Sequence, residues 1–362
     1  MESFAEVRFR QADLEAFIEG LIRAAGASPS GAGAVARAVV DASARGVDTH
    51  GVRLVPHYVR SLEAGQVNPT PDMRFTRQAP AVGHLDADNG FGHEASYRAI
   101  DEGIAMAAET GIAAVAVGRS SHHGATGCYT LAAARRGYAA IGMTHSDAIV
   151  VPHDGVRAFH GTNPISFAVP VEGEAPMLLD MATSSIPWNR VLLRRAAGTP
   201  LPPNVAVDDQ GSMTTDADRA IALLPLGGVD HGYKGAGLAT MVDLLCSAFT
   251  GMAHGAALPQ FGGPDLSQKV SLGHFFIVLR PEIFLPLAAF NAGIARFLAD
   301  LRAQPAKPGA RVMAPGDPER EAQAERRANG VPVDATTWID LRTLATRYSY
   351  AEPAPLDGGH RT

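Results

Sequence analysis

Cysteine is scarce in this chain of 362 residues: Cys128 and Cys246 are the only two, and they form no CxxC pair. A disulfide framework or a thiolate metal cluster is therefore excluded as the basis of the fold, and buried free thiols are expected. Long apolar runs are also missing, and the first residues lack the basic start and apolar stretch of a signal peptide. These absences predict a soluble, cytoplasmic protein that does not bind a membrane.

Positive charge is not in excess, since 31 Lys and Arg residues face 37 Asp and Glu residues and the formal net charge is −6. Nucleic acids and anionic membranes are bound by basic faces, so neither is expected as the main partner. The apolar fraction of 46% and the charged fraction of 19% are those of an ordinary globular chain. The length allows a large core and favours two domains over one.

Several motifs of catalysis and cofactor binding are absent. There is no HExxH zinc motif, and the adjacent His122 and His123 would point in different directions on a regular element, so no metal site is predicted. The chain lacks a G-x-S-x-G elbow and a P-loop, which disfavours a serine hydrolase and a P-loop nucleotide site. Gly90-Phe91-Gly92-His93-Glu94-Ala95 formally matches a dinucleotide fingerprint, but the preceding segment 82–89 is too polar for a central parallel strand. A glycine turn at a helix start is the preferred interpretation.

Histidine, in contrast, is concentrated in one part of the chain. Nine of the 13 histidines lie between His50 and His160. Several stand in short polar strings at the ends of predicted elements: Asp48-Thr49-His50-Gly51-Val52-Arg53, Ser120-Ser121-His122-His123-Gly124, Thr144-His145-Ser146-Asp147 and His160-Gly161-Thr162-Asn163-Pro164. Imidazoles, hydroxyls and close-approach glycines at element ends indicate proton chemistry on a small molecule.

Hydrophobic periodicity predicts a mixed α/β or α+β fold. Helices are predicted at 11–25, 31–45, 52–63, 97–109, 126–136, 187–195, 235–249 and 287–303, with two more after a loop at 305–318. Strands are predicted at 112–117, 139–144, 165–169, 177–179 and 274–279. Residues 1–70 are expected to form a helical segment that packs with C-terminal helices in 318–350, around an α/β core of residues 71–317.

A second glycine string, Gly232-Tyr233-Lys234-Gly235-Ala236-Gly237, opens the helix predicted from Gly235. Helix N-terminal amides beside a lysine form an anion site, and glycine lets a phosphate approach the backbone. The alternative is a glycine turn with a solvated lysine, and spacing alone leaves both open.

Taken together, the polar strings resemble a known family when they are combined with four further motifs. These are Leu179-Asp180-Met181-Ala182-Thr183-Ser184, Leu224-Pro225-Leu226-Gly227-Gly228, Tyr233-Lys234-Gly235 and Ala314-Pro315-Gly316-Asp317. Their order over about residues 10–345 resembles that of the malate/L-lactate dehydrogenase-like family of NAD(P)-dependent oxidoreductases. The resemblance implies a non-Rossmann nucleotide-binding domain with a largely antiparallel sheet, a helical domain, an NAD(P)-binding region at about 120–290, and a homodimer.

The resemblance also implies a set of residues that contact NAD or NADP. They are His145, Ser146, Asp180, Met181, Ala182, Lys234, Gly316, Asp317 and Pro318. Arg190, Arg194 and Arg195 are candidates for binding a 2′-phosphate, although a solvated basic helix face is the preferred interpretation.

For catalysis, the resemblance offers two histidines as the proton donor and acceptor, because some family members use the one that matches His122 and others the one that matches His50. Histidine suits this step since its pKa lies near neutrality. We favour His122, with His50 binding or polarising the substrate. Arg53 is the candidate for the substrate carboxylate, although the family's arginine lies one position later, where this chain has Leu54.

Tyr58 and Thr49 complete the predicted substrate contacts. The predicted reaction is hydride transfer between NAD(P) and a small 2-hydroxy acid or 2-oxo acid. Two alternatives stay open: a reductase of cyclic ketimines such as Δ1-piperideine-2-carboxylate or Δ1-pyrroline-2-carboxylate, and a dinucleotide-binding protein without catalysis. The presence of both His50 and His122 argues against the last of these.

Overall fold

The computed structural model describes residues 6–263 and 265–356. Within these ranges the α-helices are α1 (Gln11–Ala24), α2 (Pro29–Ala44), α3 (Val55–Glu63), α4 (Gly92–Thr110), α5 (Gly127–Ala134), α6 (Trp188–Ala196), α7 (Gly228–Cys246), α8 (Leu287–Arg302), α9 (Asp317–Asn329) and α10 (Ala335–Arg347). The strands are β1 (Val7–Phe9), β2 (Arg74–Ala79), β3 (Val82–Asp86), β4 (Ile112–Ser120), β5 (Ala139–Thr144), β6 (Ile165–Val169), β7 (Met177–Met181), β8 (Ala206–Val207), β9 (Ala222–Leu223), β10 (Leu272–Leu279) and β11 (Val331–Val333).

A seven-stranded sheet in the order β2-β3-β4-β10-β5-β6-β7 forms the centre of the chain. Every neighbouring pair is antiparallel except β3 and β4, so the prediction of a mixed fold with a largely antiparallel sheet is confirmed. The central strands β4, β5 and β10 are rich in Ala, Val, Ile and Phe and are mostly buried, because helices α4 and α5 and helix α7 pack against them.

The polar segment before Gly90 forms a strand after all, contrary to the sequence argument. β3 pairs with β4 in parallel, and it tolerates its polar residues because only Gly83 and Leu85 are buried there. The glycines after β3 are nevertheless packed against protein. The Gly92 N–H donates to Ser121 Oγ at 3.0 Å, and a Cβ at Gly92 would lie 2.0 Å from the Ser121 carbonyl oxygen.

Helix α7 begins at Gly228 and not at Gly235, which corrects the predicted anion site at Lys234. Gly227, with a φ of 99°, precedes the first turn, so the amides around Gly235 lie inside the helix and are not free for a phosphate. Gly235 instead permits close packing, since a Cβ there would lie 2.4 Å from the backbone nitrogen and oxygen of Leu226.

The two ends of the chain share one hydrophobic core. Phe9, Leu14, Val39 and Val55 pack in the same buried cluster as Leu341 of α10. Strand β1 pairs with β11, which joins the ends by backbone hydrogen bonds as well. The predicted packing of an N-terminal helical segment with C-terminal helices requires such a shared core. The domain boundaries stay a prediction.

Candidate active site

The polar strings meet at one end of the sheet. The strand register pairs Ser120 with Leu272, His274 with Thr144, and Ile165 with Met181, so β4, β5 and β7 all end on the same side. Side chains that follow these strand ends therefore share one space, as the position of the strings at element ends predicts.

The His50 string reaches this place from the N-terminal helices. It forms two short 3-10 turns, Asp48–His50 and Val52–Leu54, on either side of Gly51. The Val52 N–H donates to Ser43 Oγ at 3.1 Å, and a Cβ at Gly51 would lie 2.0 Å from that oxygen. Gly51 is therefore required for the close approach that brings His50 to the sheet.

His50, Tyr58 and His122 form the centre of the candidate site. The rings of His50 and His122 are nearly parallel, with 6.0 Å between their centroids. The Tyr58 hydroxyl lies 2.8 Å from Nδ1 of His122, and the Gly124 N–H donates to the same nitrogen at 3.3 Å. Because a backbone N–H can only donate, Nδ1 is an acceptor and the proton of the neutral ring is assigned to Nε2. Nε2 makes no protein hydrogen bond among the described residues, so it is available to a substrate.

Burial keeps these histidines neutral. It lowers the pKa of His122 well below its ordinary value, and positive charge on His50 would lower it further. The pKa of His50 is lowered to about 4, first by burial and then by the charge of Arg53. A substrate carboxylate bound here would act in the opposite direction, since an anion favours the protonated ring.

Arg53 is half-buried close to His50, and it makes no hydrogen bond or ion pair within the described ranges. An arginine at such a position that is not engaged by a protein carboxylate suits an anionic ligand. The displacement by one residue from the family position therefore leaves a guanidinium charge at the site. Thr49 adjoins it: its hydroxyl lies 3.0 Å from Nδ1 of His50, and its carbonyl accepts from Asn189 of α6 at 3.1 Å.

Two aromatic neighbours of His122 were not identified from the sequence. The ring of Phe261 lies 4.5 Å from that of His122 and 4.1 Å from that of His57, measured between centroids. Phe261 belongs to the loop between α7 and β10, where no motif or periodicity marks it. His57 lies on α3, seven residues after His50, and stands in none of the polar strings.

The proposed cofactor residues divide into two groups along the edge strand β7. Around Thr183, which follows β7, hydrogen bonds connect Ser146 and the Lys234 region. The Ser146 N–H donates to Asn163 Oδ1 at 3.3 Å, Thr183 Oγ1 donates to the Asn163 carbonyl at 3.2 Å, and the Leu226 N–H donates to the Thr183 carbonyl at 2.8 Å. Since Gly235 packs on Leu226, Ser146, Met181, Ala182 and Lys234 are brought to the same end of the sheet.

The second group consists of Gly316, Asp317 and Pro318. It lies beside Leu178, near the start of β7. A Cβ at Gly316 would lie 3.0 Å from the Leu178 nitrogen, and Asp317 accepts from Arg302 and Arg320. Asp180 also has a partner within the protein: its Oδ2 accepts from the Gly127 N–H at 2.8 Å, at the start of α5. Burial raises the pKa of Asp180 to about 6, against the lowering effects of that N–H and of Arg45.

His145 differs from the other proposed cofactor residues because it is fully buried. Its Nε2 accepts from the Gly273 N–H at 3.0 Å, and its Nδ1 lies 3.6 Å from Asp243 Oδ1, which is longer than a hydrogen bond. Direct contact of this ring with a dinucleotide would require the surrounding side chains to move.

Two features are absent from the described part of the chain. Residues 6–263 and 265–356 contain no group of three or more His, Cys, Asp or Glu side chains arranged to hold a metal ion. The helices in these ranges also include none with the length and hydropathy needed to span a membrane.

The N-terminal segment brings His50 and Arg53 to the end of a mostly antiparallel sheet where His122 lies, and known proteins show that this arrangement belongs to a class of dehydrogenases. Residues 9–342 match the family model described as malate/L-lactate dehydrogenase, and the chain belongs to this family. The resemblance inferred from the motifs is thereby confirmed.

Three relatives show the extent of the similarity. Malate dehydrogenase of Pyrococcus horikoshii is 32% identical over 348 residues, which are 94% of this chain and 95% of the relative. Ureidoglycolate dehydrogenase (NAD(+)) of Escherichia coli K12 is 33% identical over 321 residues, or 88% and 90% of the two chains. The solved structure of Δ1-piperideine-2-carboxylate reductase from Pseudomonas syringae superposes with a TM-score of 0.83 at 29% identity, covering 93% of this chain and 99% of the other.

Proposed function

We propose that this protein transfers a hydride between the nicotinamide of NAD or NADP and C2 of a small 2-hydroxy acid or 2-oxo acid. The observation that carries the proposal is the juxtaposition of two histidines: His122, whose Nε2 has no protein partner among the described residues, and His50, whose pKa is lowered by the charge of the nearby Arg53. His122 would exchange a proton with the reacting oxygen of the substrate, and Arg53 would bind the adjacent carboxylate.

The residues along β7 suit a dinucleotide. β7 is an edge strand, so one row of its backbone N–H and C=O groups has no strand partner and is available to a ligand. Met181 and Ala182 are only half-buried at its end, and the ammonium of Lys234 is exposed and forms no ion pair among the described residues. The cofactor would be held by Ser146, Met181, Ala182, Lys234 and the Gly316-Asp317-Pro318 turn.

Bound NADH or NADPH supplies the hydride. In the reductive direction the substrate carboxylate would favour the imidazolium form of His122, whose Nε2 would donate a proton to the carbonyl oxygen and leave a neutral ring with its proton on Nδ1. Arg53 would bind the carboxylate and orient C2. The Tyr58 hydroxyl can donate to Nδ1 or accept from it, so it holds the ring in place in both protonation states. The neutral His50 is close enough to polarise the same carbonyl group, and Phe261 covers His122 and limits access of water.

A cyclic ketimine carboxylate is the second candidate substrate. Its imine nitrogen would accept the proton from His122 in the place of a carbonyl oxygen, and its carboxylate would make the same contact with Arg53. The similarity to Δ1-piperideine-2-carboxylate reductase across nearly the whole chain supports this alternative.

We further propose that the chain functions as a homodimer. Large apolar side chains are exposed in and before α8, where Phe284 is 68% and Phe297 is 64% exposed, and on α7, where Met241 and Leu244 are exposed. Apolar groups of this size at the surface are typical of a protein–protein interface.

The test is oxidation of NADH and NADPH, in parallel, with pyruvate, oxaloacetate, 3-sulfopyruvate and Δ1-piperideine-2-carboxylate. Turnover of a 2-oxo acid supports the main proposal, turnover of the imine alone supports the alternative, and no turnover with either cofactor contradicts both. Arg53→Gln should raise KM for the successful substrate by about 10- to 100-fold, since a charge-assisted contact is lost. Arg60→Gln, on the exposed side of α3, is the matched control and should leave KM unchanged.

A further inference from the structure

A cavity of about 420 Å³ lies between α2, α5, α9 and the start of β7, outside the group of His50, Tyr58 and His122. Four arginines from three helices line it, with two carboxylates: Arg45, Arg135, Arg320, Arg327, Asp41 and Glu319. The formal charge of these six side chains is therefore +2, in a chain whose formal net charge is −6.

Arg45 has one hydrogen-bonding group that no protein atom satisfies. Its side chain is only 3% exposed, its Nε donates to Asp41 Oδ2 at 3.0 Å, and its Nη2 donates to Cys128 Sγ at 3.2 Å. Nη1 is buried and has no hydrogen-bond partner among the described residues. A buried, charged donor without a partner is unfavourable, and an anion in the cavity that Arg45 lines would offset its positive charge.

The positive charge of the other arginines is only partly balanced by protein carboxylates. Asp41 is shared, since Arg135 also reaches it at 3.3 Å. Arg320 is engaged by Asp317 and by Glu174 at 3.0 Å. Arg327 forms no hydrogen bond or ion pair in the part of the chain that the structure describes, and it lies on the exposed side of the cavity.

We propose that this arginine cavity binds a phosphate group. Guanidinium groups approaching from α2, α5 and α9 match a multiply charged anion with several acceptor oxygens better than a planar carboxylate. The cavity also adjoins Gly316 and Leu178, so the phosphate has two possible sources: free inorganic phosphate, or the adenosine part of a dinucleotide. The second source rests on the proposed function, whereas the first does not.

The test measures binding to the full-length chain by calorimetry, with inorganic phosphate, adenosine 5′-monophosphate and adenosine 2′,5′-bisphosphate as probes. Arg327→Gln and Arg135→Gln should each weaken binding of the best probe by about tenfold, because a charge-assisted contact is lost. Both side chains are partly exposed, so the variants should fold. Arg296→Gln, on the exposed face of α8, is the matched control and should bind as the unmodified protein does.

The outcomes separate the two sources and both proposals. Tighter binding of an adenosine phosphate, displaced by NADH or NADPH, assigns the cavity to a dinucleotide. Binding of inorganic phosphate that persists at saturating dinucleotide assigns it to a free anion. If no probe binds, or if both arginine variants bind as tightly as the Arg296→Gln control, the proposal is wrong. Because binding is measured without turnover, that result leaves the proposed reaction standing if the substrate assay succeeds.

Discussion

Two pairs of histidines at the same end of the sheet differ in their burial and in the hydrogen bonds of their ring nitrogens. His50 and His122 are half-buried, and among the described residues each has hydrogen-bond partners only at Nδ1. His123 and His274 are fully buried, and both nitrogens of each ring are bonded: His123 to Ser96 and Thr126, and His274 to Thr144 and Ser120. The rings of the second pair are stacked, with 4.3 Å between their centroids.

This difference separates the histidines that can take part in catalysis from those that stabilise the fold. A neutral imidazole has one donor and one acceptor nitrogen, so a ring bonded at both has no position left for a substrate proton. His122 and His123 are adjacent in sequence, yet they belong to opposite groups, because the ring of His122 bonds to Tyr58 and that of His123 to Ser96 and Thr126. Five predictions test whether the distinction holds, from the largest expected effect to the smallest.

His122→Gln should give the largest loss. A positioned acid or base contributes about 10²- to 10⁴-fold to the rate, so kcat should fall by that factor. The melting temperature should change little, because Gln keeps a polar group at the half-buried position. The measurement is steady-state kinetics beside thermal unfolding.

His50→Gln is the comparison for that variant, and it should affect KM more than kcat. A greater loss of kcat in His50→Gln than in His122→Gln would make His50 the proton donor and would contradict our assignment.

His274→Leu should act on stability and not on chemistry. The substitution leaves the Ser120 hydroxyl buried without a partner among the described residues, while Thr144 Oγ1 can still donate to the carbonyls of His145 and Gly273. The free energy of unfolding should therefore fall by about 1–3 kcal/mol. Denaturant unfolding measures the loss. The kcat of the fraction that remains folded should stay within about twofold of the unmodified value; a loss as large as that of His122→Gln would remove the distinction between the two pairs.

The regular elements were predictable because their periodicity is strong. The predicted limits of β5 and β6 are those observed, and helices α1, α2 and α8 begin or end within a few residues of the predicted positions. The polar strand β3 was not predicted. It lies near the edge of the sheet, where little burial is needed, and that position depends on long-range pairing with β4 that the sequence pattern does not show. The start of α7 was misplaced since the glycines at 232, 235 and 237, typical of a turn, lie within the helix and Gly235 packs against Leu226.

The site was predictable in its residue types but not in its contacts. Glycine-flanked histidines at element ends identified the right region, and the family resemblance singled out His50 and His122. What separates His122 from His123 is the partner of each nitrogen, and these partners come from Tyr58, Ser96 and Thr126, which are distant or unmarked in sequence. Phe261 could not be identified because it contacts His122 only through the folding of a loop that carries no motif.

Tyr58→Phe tests the single-sided bonding of His122. Without the hydroxyl the ring loses its 2.8 Å contact at Nδ1, so Nε2 is held less firmly and kcat should fall by about tenfold. Unfolding free energy should fall by only about 0.5–1.5 kcal/mol, the usual contribution of one hydrogen bond. Tyr97→Phe is the matched control, since the Tyr97 ring packs on Tyr129 away from His122. Equal kcat in the two variants would show that Tyr58 does not position the ring.

His93→Leu should have the smallest effect at neutral pH, and it extends the comparison to a third kind of histidine. His93 is fully buried, and neither ring nitrogen has a partner among the described residues. Burial lowers its pKa to about 3. Leucine has a similar size and breaks no hydrogen bond, so the free energy of unfolding at pH 7.5 should change by less than about 1 kcal/mol.

The variant should differ from the unmodified protein as the pH falls. The folded pKa of His93, about 3, lies below the ordinary value of 6.5, so between these pH values the unfolded chain binds a proton that the folded chain does not. Stability is therefore lost as the pH falls below 6.5, by about 1.4 kcal/mol per pH unit for this one group. Denaturant unfolding at pH 6.5 and pH 5 should show that the unmodified protein loses about 2 kcal/mol more than His93→Leu over this interval. Identical losses would mean that His93 takes up its proton at the same pH in the folded and the unfolded chain, and that burial does not lower its pKa.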